Sequence, residues 1–246
     1  MSIKIDESLA LSYYSKLKLD HSSPSQEAMN DSDWLVNYCL FDQNIRRKKN
    51  INYRMNAGVS IGRATQRYAV KYFYEAENKV ANKKESLDKI IEDELAQYDK
   101  YQPHSPLDKE QHEDTRQYIV DMIKNTTKAI KDLKLEEESA AERYCVHKFF
   151  DLVLPKIGRI DFEDRKIIVE LKTKHRSKRK SDTKQGYSWV KGYLPKTPDK
   201  NHLSQVAFYF HATGKIPHLL YVNQDSYNVF TQDTCEQLDQ IGRAHV

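Results

Sequence analysis

The chain has 246 residues, 31% of them charged, and a formal net charge of +4. That length allows one large domain with a sizeable core, and the mild basic excess fits a polyanionic partner without requiring one. No apolar run approaches a membrane span and no secretory signal opens the chain, so an intracellular protein without membrane attachment is expected. The three cysteines, Cys39, Cys145 and Cys235, lie far apart, which excludes a disulfide framework and a zinc site.

The first thirty residues are polar, with a loop at Ser22-Ser23-Pro24-Ser25. Leu9, Leu11, Tyr13, Tyr14 and Leu17 suit a short helix or strand. Asp33 caps a predicted helix through Arg46, with Trp34, Leu35, Tyr38, Leu40 and Phe41 on its apolar face. Arg46-Arg47-Lys48-Lys49 reads first as a solvated helix end, and second as a phosphate contact. Ser60 is read as the N-cap of a helix reaching about Lys83, with Ile61, Ala64, Tyr68, Tyr72, Ala76 and Val80 at helical spacing. Gly58 and Gly62 would allow close backbone approach near its start.

From 84 to 138 the composition is helical and heavily charged. Ser86 opens one helix, Pro103 interrupts, and Ser105-Pro106 opens another. The expected arrangement is a helical insert forming a wall over a cleft; a grip on a polymer or a second subunit is the sharper reading. Tyr144, Val146, Lys148 and Phe150 then alternate as a strand expected to pair with 152–162, and His147 reads as structural. Glu142, in a dense run of charges, reads as a helix-surface glutamate.

The informative stretch runs from Gly158 to Lys172. Asp164 and Arg165 suit a tight turn between two strands. Pairing Phe162 with Ile167 would put Ile160, Phe162, Ile167, Val169 and Leu171 on one face, and Asp161, Glu170 and Lys172 on the other. Two close carboxylates repel each other unless a cation lies between them. Hard oxygen ligands suit Mg²⁺ or Mn²⁺, and a lysine beside them can serve a water or stabilise phosphate charge. The competing reading is an exposed charged hairpin.

Beyond it, 173–184 is the densest basic run. Lys174, Arg176, Lys178, Arg179, Lys180 and Lys184 could hold a phosphate backbone, with Arg159 from the strand before. Tyr187, Trp189 and Tyr193 follow in the same predicted loop and could stack on unpaired bases. A helix is expected from Asn201 to Thr213, ended by Gly214, with Gln205 and Tyr209 facing one way. A second hairpin, Ile216–Val222 and Tyr227–Thr231, turns at Asn223-Gln224-Asp225-Ser226.

Taken together, Gly62-x-x-x-Gln66, Gly158-Arg159-x-Asp161, Glu170-x-Lys172 and Gln205-x-x-x-Tyr209 resemble the ordered motifs of the PD-(D/E)XK nuclease superfamily, in its RecB-like, phage-type exonuclease branch. Gln66 departs from the pattern, where a histidine usually stands. The resemblance covers roughly 60–230. It implies an α/β, restriction-endonuclease-like core, a mixed β-sheet flanked by helices with a helical insert. It implies Asp161, Glu170 and Lys172 as catalytic residues, and Asp161, Glu170 and the Leu171 carbonyl around Mg²⁺ or Mn²⁺. Gln66, Glu142, Gln205 and Tyr209 would support them.

The activity implied is metal-dependent hydrolysis of DNA phosphodiesters, as an exonuclease in recombination, repair or phage DNA processing. A structure- or site-specific endonuclease, or an inactive DNA-binding protein, are the alternatives. The implied partners are DNA and a second copy of the chain or a recombination protein, in a bacterial or phage-infected cytoplasm. Some relatives carry an iron–sulfur cluster; Cys235 stands alone after the core, so none is expected.

The domain reading is a helical segment at 1–55, a nuclease domain at 56–232 with its insert at about 84–138, and a truncated end at 233–246. Ile241 to Val246 has the sequence that a translated sequencing adapter would give, and is set aside from the fold as an expected artefact.

Overall fold

The computed structural model describes residues 22–24, 52–75, 78–136, 138–150, 152–180 and 186–243. The readings made for 1–21 and 25–51, including the basic run at 46–49 and Cys39, lie outside the described residues, as does Lys184. The elements are α1 (Tyr53–Ala69), β1 (Tyr72–Glu75), β2 (Asn78–Ala81), α2 (Leu87–Tyr98), α3 (Pro106–Arg116), α4 (Ile119–Asp132) and β3 (Ala140–Ala141). They continue with β4 (Arg143–His147), β5 (Lys156–Ile160), β6 (Phe162–Glu163), β7 (Ile167–Thr173), β8 (Ser177–Lys180), β9 (Tyr187–Val190), α5 (Lys200–Thr213), β10 (Ile216–Val222), β11 (Tyr227–Phe230) and α6 (Glu236–Arg243).

The result is an α/β fold with a mixed seven-stranded sheet in the order β11-β10-β7-β6-β3-β1-β2. β7 lies parallel to β10 and antiparallel to β6. Residues of β7 and β10 alternate between two core layers. Ile168, Leu219 and Tyr221 pack with Val206, Phe208 and Tyr209 of α5. Val169, Leu220 and Val222 pack with Ala129 and Ile130 of α4. Full burial of each large apolar side chain contributes roughly 1.5–3 kcal/mol, so a strand sandwiched this way is held firmly. Among the described residues, no helix is long and apolar enough to cross a membrane.

Several expectations change. α1 starts at Tyr53, because the Asn52 side chain accepts from the amides of Arg54 and Met55, and it ends at Ala69. Tyr72 and Val80 lie in edge strands instead. The hairpin register is Phe162 with Val169, two residues from the expected pairing. Asp164 Oδ1 accepts from the amides of Lys166 and Ile167 at 2.7 and 2.8 Å, which centres the turn on Arg165-Lys166. Ile160 packs in the layer of α5, not with Phe162, because the strand bends at Asp161.

None of the insert's described residues lines the cavity that Met55, Val59 and Gln66 of α1 line. The insert's helices pack behind α1, where Ile90, Ile91, Tyr98, Ile119, Met122 and Ile123 bury Ala57, Ile61 and Ala64. The basic segment is not one loop: β8 and β9 form a separate antiparallel ribbon. Ile241, set aside from the sequence, lies in α6 and packs against the α5 core layer.

Candidate active site

The site forms where a long ribbon kinks. Arg143 pairs with Ile160 and Ala140 with Glu163, so the β4–β5 register runs on into β3–β6 and sets Glu142 opposite Asp161. Each is the residue at which its strand breaks. Glu142 has φ of 65°, a left-handed conformation that costs a non-glycine residue about 1 kcal/mol or more. Strain of that kind persists where the surroundings hold it, and here they do. Glu142 accepts from Gln66 Nε2 at 2.7 Å and pairs with Arg159 at 2.8 Å. It is therefore a member of the site and not an idle helix-surface charge; it lies between strands, not on a helix.

Asp161 Oδ2 accepts the Leu171 amide at 2.9 Å, and Gln66 Nε2 also donates to the Asp161 carbonyl at 3.2 Å. Gln66 is 3% exposed and stands one turn beyond Gly62 on α1. From β7, Lys172 Nζ donates to Glu170 Oε1 at 2.7 Å and to Gln205 Oε1 of α5 at 2.8 Å. Gln205 Nε2 donates to Tyr209 Oη at 2.8 Å, and Tyr209 donates to the Arg159 carbonyl at 2.9 Å. The bonds thus run from Glu170 through Lys172, Gln205 and Tyr209 to Arg159, then through Glu142 and Gln66 to Asp161.

The electrostatics are those of crowded acids. Burial raises Asp161 well above the ordinary carboxylate value, and the charge of Glu170 adds to that; the Leu171 amide and Lys172 oppose it. Burial likewise raises Glu170, against the Lys172 ammonium. Glu170 is 5% exposed, and its Oε2 is buried with no hydrogen-bond partner. An orphaned carboxylate oxygen beside a second acid is a donor set short of one cation. Among the described residues, no group of three or more His, Cys, Asp or Glu side chains is gathered closely enough to hold a metal ion as it stands. Lys172 already draws Glu170 Oε1 toward α5, and Glu142 is tied to Arg159 and Gln66.

The acids line a cavity of about 460 Å³, while Lys172 lies on an adjoining one. Glu142, Asp161, Glu170, Arg159 and Leu171 face one another across the first, and α1 supplies Met55, Val59, Gly62, Arg63 and Gln66. A Cβ at Gly58 would stand 3.3 Å from Thr173 Oγ1, so close approach does hold there. Gly62 has nothing within 4 Å and simply faces the cavity. A helix start at Ser60 leaves out Met55 and Val59, and so hides the face they share with Arg63. A stripe at spacing four from Met55 onward would have found them.

The basic residues divide. Arg176 bonds Asp114 and Tyr118 of the α3–α4 region and lies 5.1 Å over the Trp189 ring. Lys178 pairs with Glu110 of α3. Trp189 is half-buried, with the Arg176 and Lys178 cations against its ring. Lys174 is half-buried over the Tyr221 ring, while Arg179 and Lys180 are exposed.

Fold and site together define an α/β protein with an acid–lysine cleft beside the central strand of a mixed sheet. No family model and no curated protein matches the chain. Among solved structures it is similar to one described as "Crystal structure of SSO0001", at 14% identity and a TM-score of 0.28, over 63% of this chain and 80% of that chain. A likeness of that depth carries no argument about either fold or chemistry.

Proposed function

We propose that the chain is a metal-dependent deoxyribonuclease, an exonuclease acting in recombination, repair or phage DNA processing, on a restriction-endonuclease-like core. The observation that carries this reading is the pair Asp161 and Glu170 on one cavity, with Lys172 bonded to Glu170 from the adjoining one and Glu170 Oε2 buried and unpartnered. The resemblance of the motif set to the PD-(D/E)XK superfamily supports it.

Asp161, Glu170 and the Leu171 carbonyl would hold Mg²⁺ or Mn²⁺; the hard oxygen donors and the unsatisfied Glu170 oxygen fit such an ion. When bound, the ion supplies Lewis acidity toward a phosphate and makes a coordinated water more acidic. The chain's own residues do the rest. An ammonium has three donors, and Lys172 commits two of them, to Glu170 and Gln205. The third is left for the attacking water or a phosphate oxygen. Gln205, fixed by Tyr209, sets the direction of that donor. Arg63 and Arg159 at the cavity wall oppose the charge of an incoming phosphate.

The test is Mg²⁺-dependent degradation of end-labelled linear duplex beside closed circular DNA, with Lys172→Ala and Asp161→Ala as controls. Loss of linear DNA alone, abolished in both variants, is expected. Cutting of the circle would replace the exonuclease by an endonuclease. Binding without cutting, in Mg²⁺ and in Mn²⁺, would leave an inactive DNA-binding protein. The proposed partners beyond DNA are a second copy of the chain or a recombination protein, which sedimentation in the same buffer would register.

A further inference from the structure

A second cavity, of about 570 Å³, adjoins the first and shares Met55, Gly58, Leu171 and Thr173 with it. Its lining has the opposite character. Arg54, Lys172, Lys174, Arg179 and Lys191 line it, and among the described residues no aspartate or glutamate does. Lys191 is paired with Asp225 outside. Among the described residues, Arg54, Lys174 and Arg179 take part in no ion pair. Uncompensated cations crowded into one concavity repel each other unless an anion joins them. Burial lowers the Lys174 ammonium below its ordinary value, and Lys172 and Arg54 add to this against Asp199. His175 also lines the cavity, and its Nδ1 is buried without a partner.

The wall is built, not loose. A Cβ at Gly192 would stand 2.4 Å from the Lys174 carbonyl oxygen, so 191–193 lies directly on the strand leaving the acids. Asn223 Nδ2 fixes the Gly192 carbonyl at 2.8 Å. At the rim stand two apolar faces with little cover, Tyr193 at 71% and Met55 at 49% exposed. An unstacked base gains by lying on such a ring, whereas a base in a duplex is already stacked.

We propose that this basic cavity binds the phosphate next to the scissile one in a single-stranded stretch of nucleic acid, with Arg54, Lys174 and Arg179 as its ligands and Tyr193 as the stacking face. The assignment rests on the adjoining acids being the cutting centre, since that fixes which phosphate lies between the two cavities. It also re-sorts the basic run: Lys174 and Arg179 contact the strand, while Arg176 and Lys178 anchor the ribbon to α3.

The test uses the full chain carrying Asp161→Asn, in EDTA, with a fluorescein-labelled oligothymidylate and a blunt duplex of equal length, by anisotropy across a salt series. Lys174→Gln and Arg179→Gln should each weaken single-strand binding severalfold and reduce the salt slope by about 0.7. Tyr193→Ala should weaken the single strand severalfold and leave the duplex unchanged. A Lys83→Gln, Lys84→Gln double variant, at a separate cavity beside Arg67, should change neither. Arg179 is exposed, so its variant keeps the test sound if Lys174→Gln fails to fold. Unchanged slopes in a folded Arg179→Gln protein, or equal affinity for duplex and single strand, overturn the proposal. If the wild-type chain cuts DNA while the slopes stay fixed, this site falls and the nuclease reading stands. If the slopes move while no metal supports cutting, the cavity binds a single strand but the nuclease reading falls, and with it the placing of that phosphate next to a scissile one.

Discussion

Lys172 and Gln205 are joined by a hydrogen bond of 2.8 Å that can run in one direction only. An ammonium donates and never accepts, so the amide oxygen must face Lys172 and the amide nitrogen must face Tyr209. Tyr209 then has its own proton free for the Arg159 carbonyl. The orientation of the lysine is thus set by a helix that contributes no acid.

Replacing Gln205 by Ala should leave Lys172 charged but unaimed. The cutting rate should fall about tenfold to a hundredfold, with DNA affinity little changed, since misplacing a reacting group slows the step more than it weakens binding. Single-turnover digestion of linear duplex separates the two. A loss confined to affinity would show that Gln205 touches the substrate instead.

Asp161 provides a pH test. Its native pKa is raised well above the unfolded value, so at pH above the ordinary carboxylate range the acid costs the fold stability. Asp161→Asn removes that cost, and its amide oxygen can still accept from Leu171. In EDTA at pH 8 the variant should be more stable by about 1 kcal/mol or more. As pH falls through the raised native pKa, wild type takes up the proton in the folded state first and gains on the variant. The gap should close as the ordinary carboxylate range is reached. Urea midpoints at pH 8, 6 and 4 read this directly, and a gap independent of pH would refute it.

Gly158 is a packing requirement. A Cβ there would stand 2.5 Å from Tyr209 Cε1 and 2.7 Å from Phe208 Cε1. Gly158→Ala should cost about 1–3 kcal/mol in a urea melt, as overpacking does. It should also lower activity, because the ring it displaces holds Gln205. Tyr209→Phe removes only the hydroxyl, leaving the Arg159 carbonyl and one Gln205 donor without this partner, and should cost about 1–3 kcal/mol.

Glu142 separates strain from chemistry. Glu142→Gly would relieve the left-handed backbone by about 1 kcal/mol while releasing Gln66 and Arg159. Stability should hold or rise and cutting should fall. Glu142→Gln keeps the strain and loses the charge. If both variants cut like wild type, Glu142 is dispensable to the reaction.

Much of this arrangement was legible because it is local. The Asp161–Glu170–Lys172 spacing, the strand pair around it, the helix with Gln205 and Tyr209, and the final hairpin follow from short-range alternation and from turn residues such as Asp164 and Gly214. Other parts depended on tertiary partners. Nothing near Ser60 shows that Asn52 caps α1 two turns earlier, so the face carrying Met55 and Val59 was cut off. Tyr72 and Val80 fit a helical period as well as an edge strand, and only the sheet decides. Arg176 and Lys178 look like their neighbours until Asp114 and Glu110 claim them across more than sixty residues, 62 and 68 respectively. Glu142 carries no sequence signal of its strained backbone, since that conformation is imposed by the strand opposite.

The cleft is also distributed along the chain in time. Gln66 meets Glu142 at a separation of 76 residues, and the Arg159 carbonyl meets Tyr209 at a separation of 50. Contacts so remote form late, after long loops have closed. A nascent polypeptide still short of Tyr209 carries both acids and the lysine, but lacks what aims them. If the chain is the nuclease proposed above, it is born inert and becomes able to attack nucleic acid only once α5 has emerged and docked.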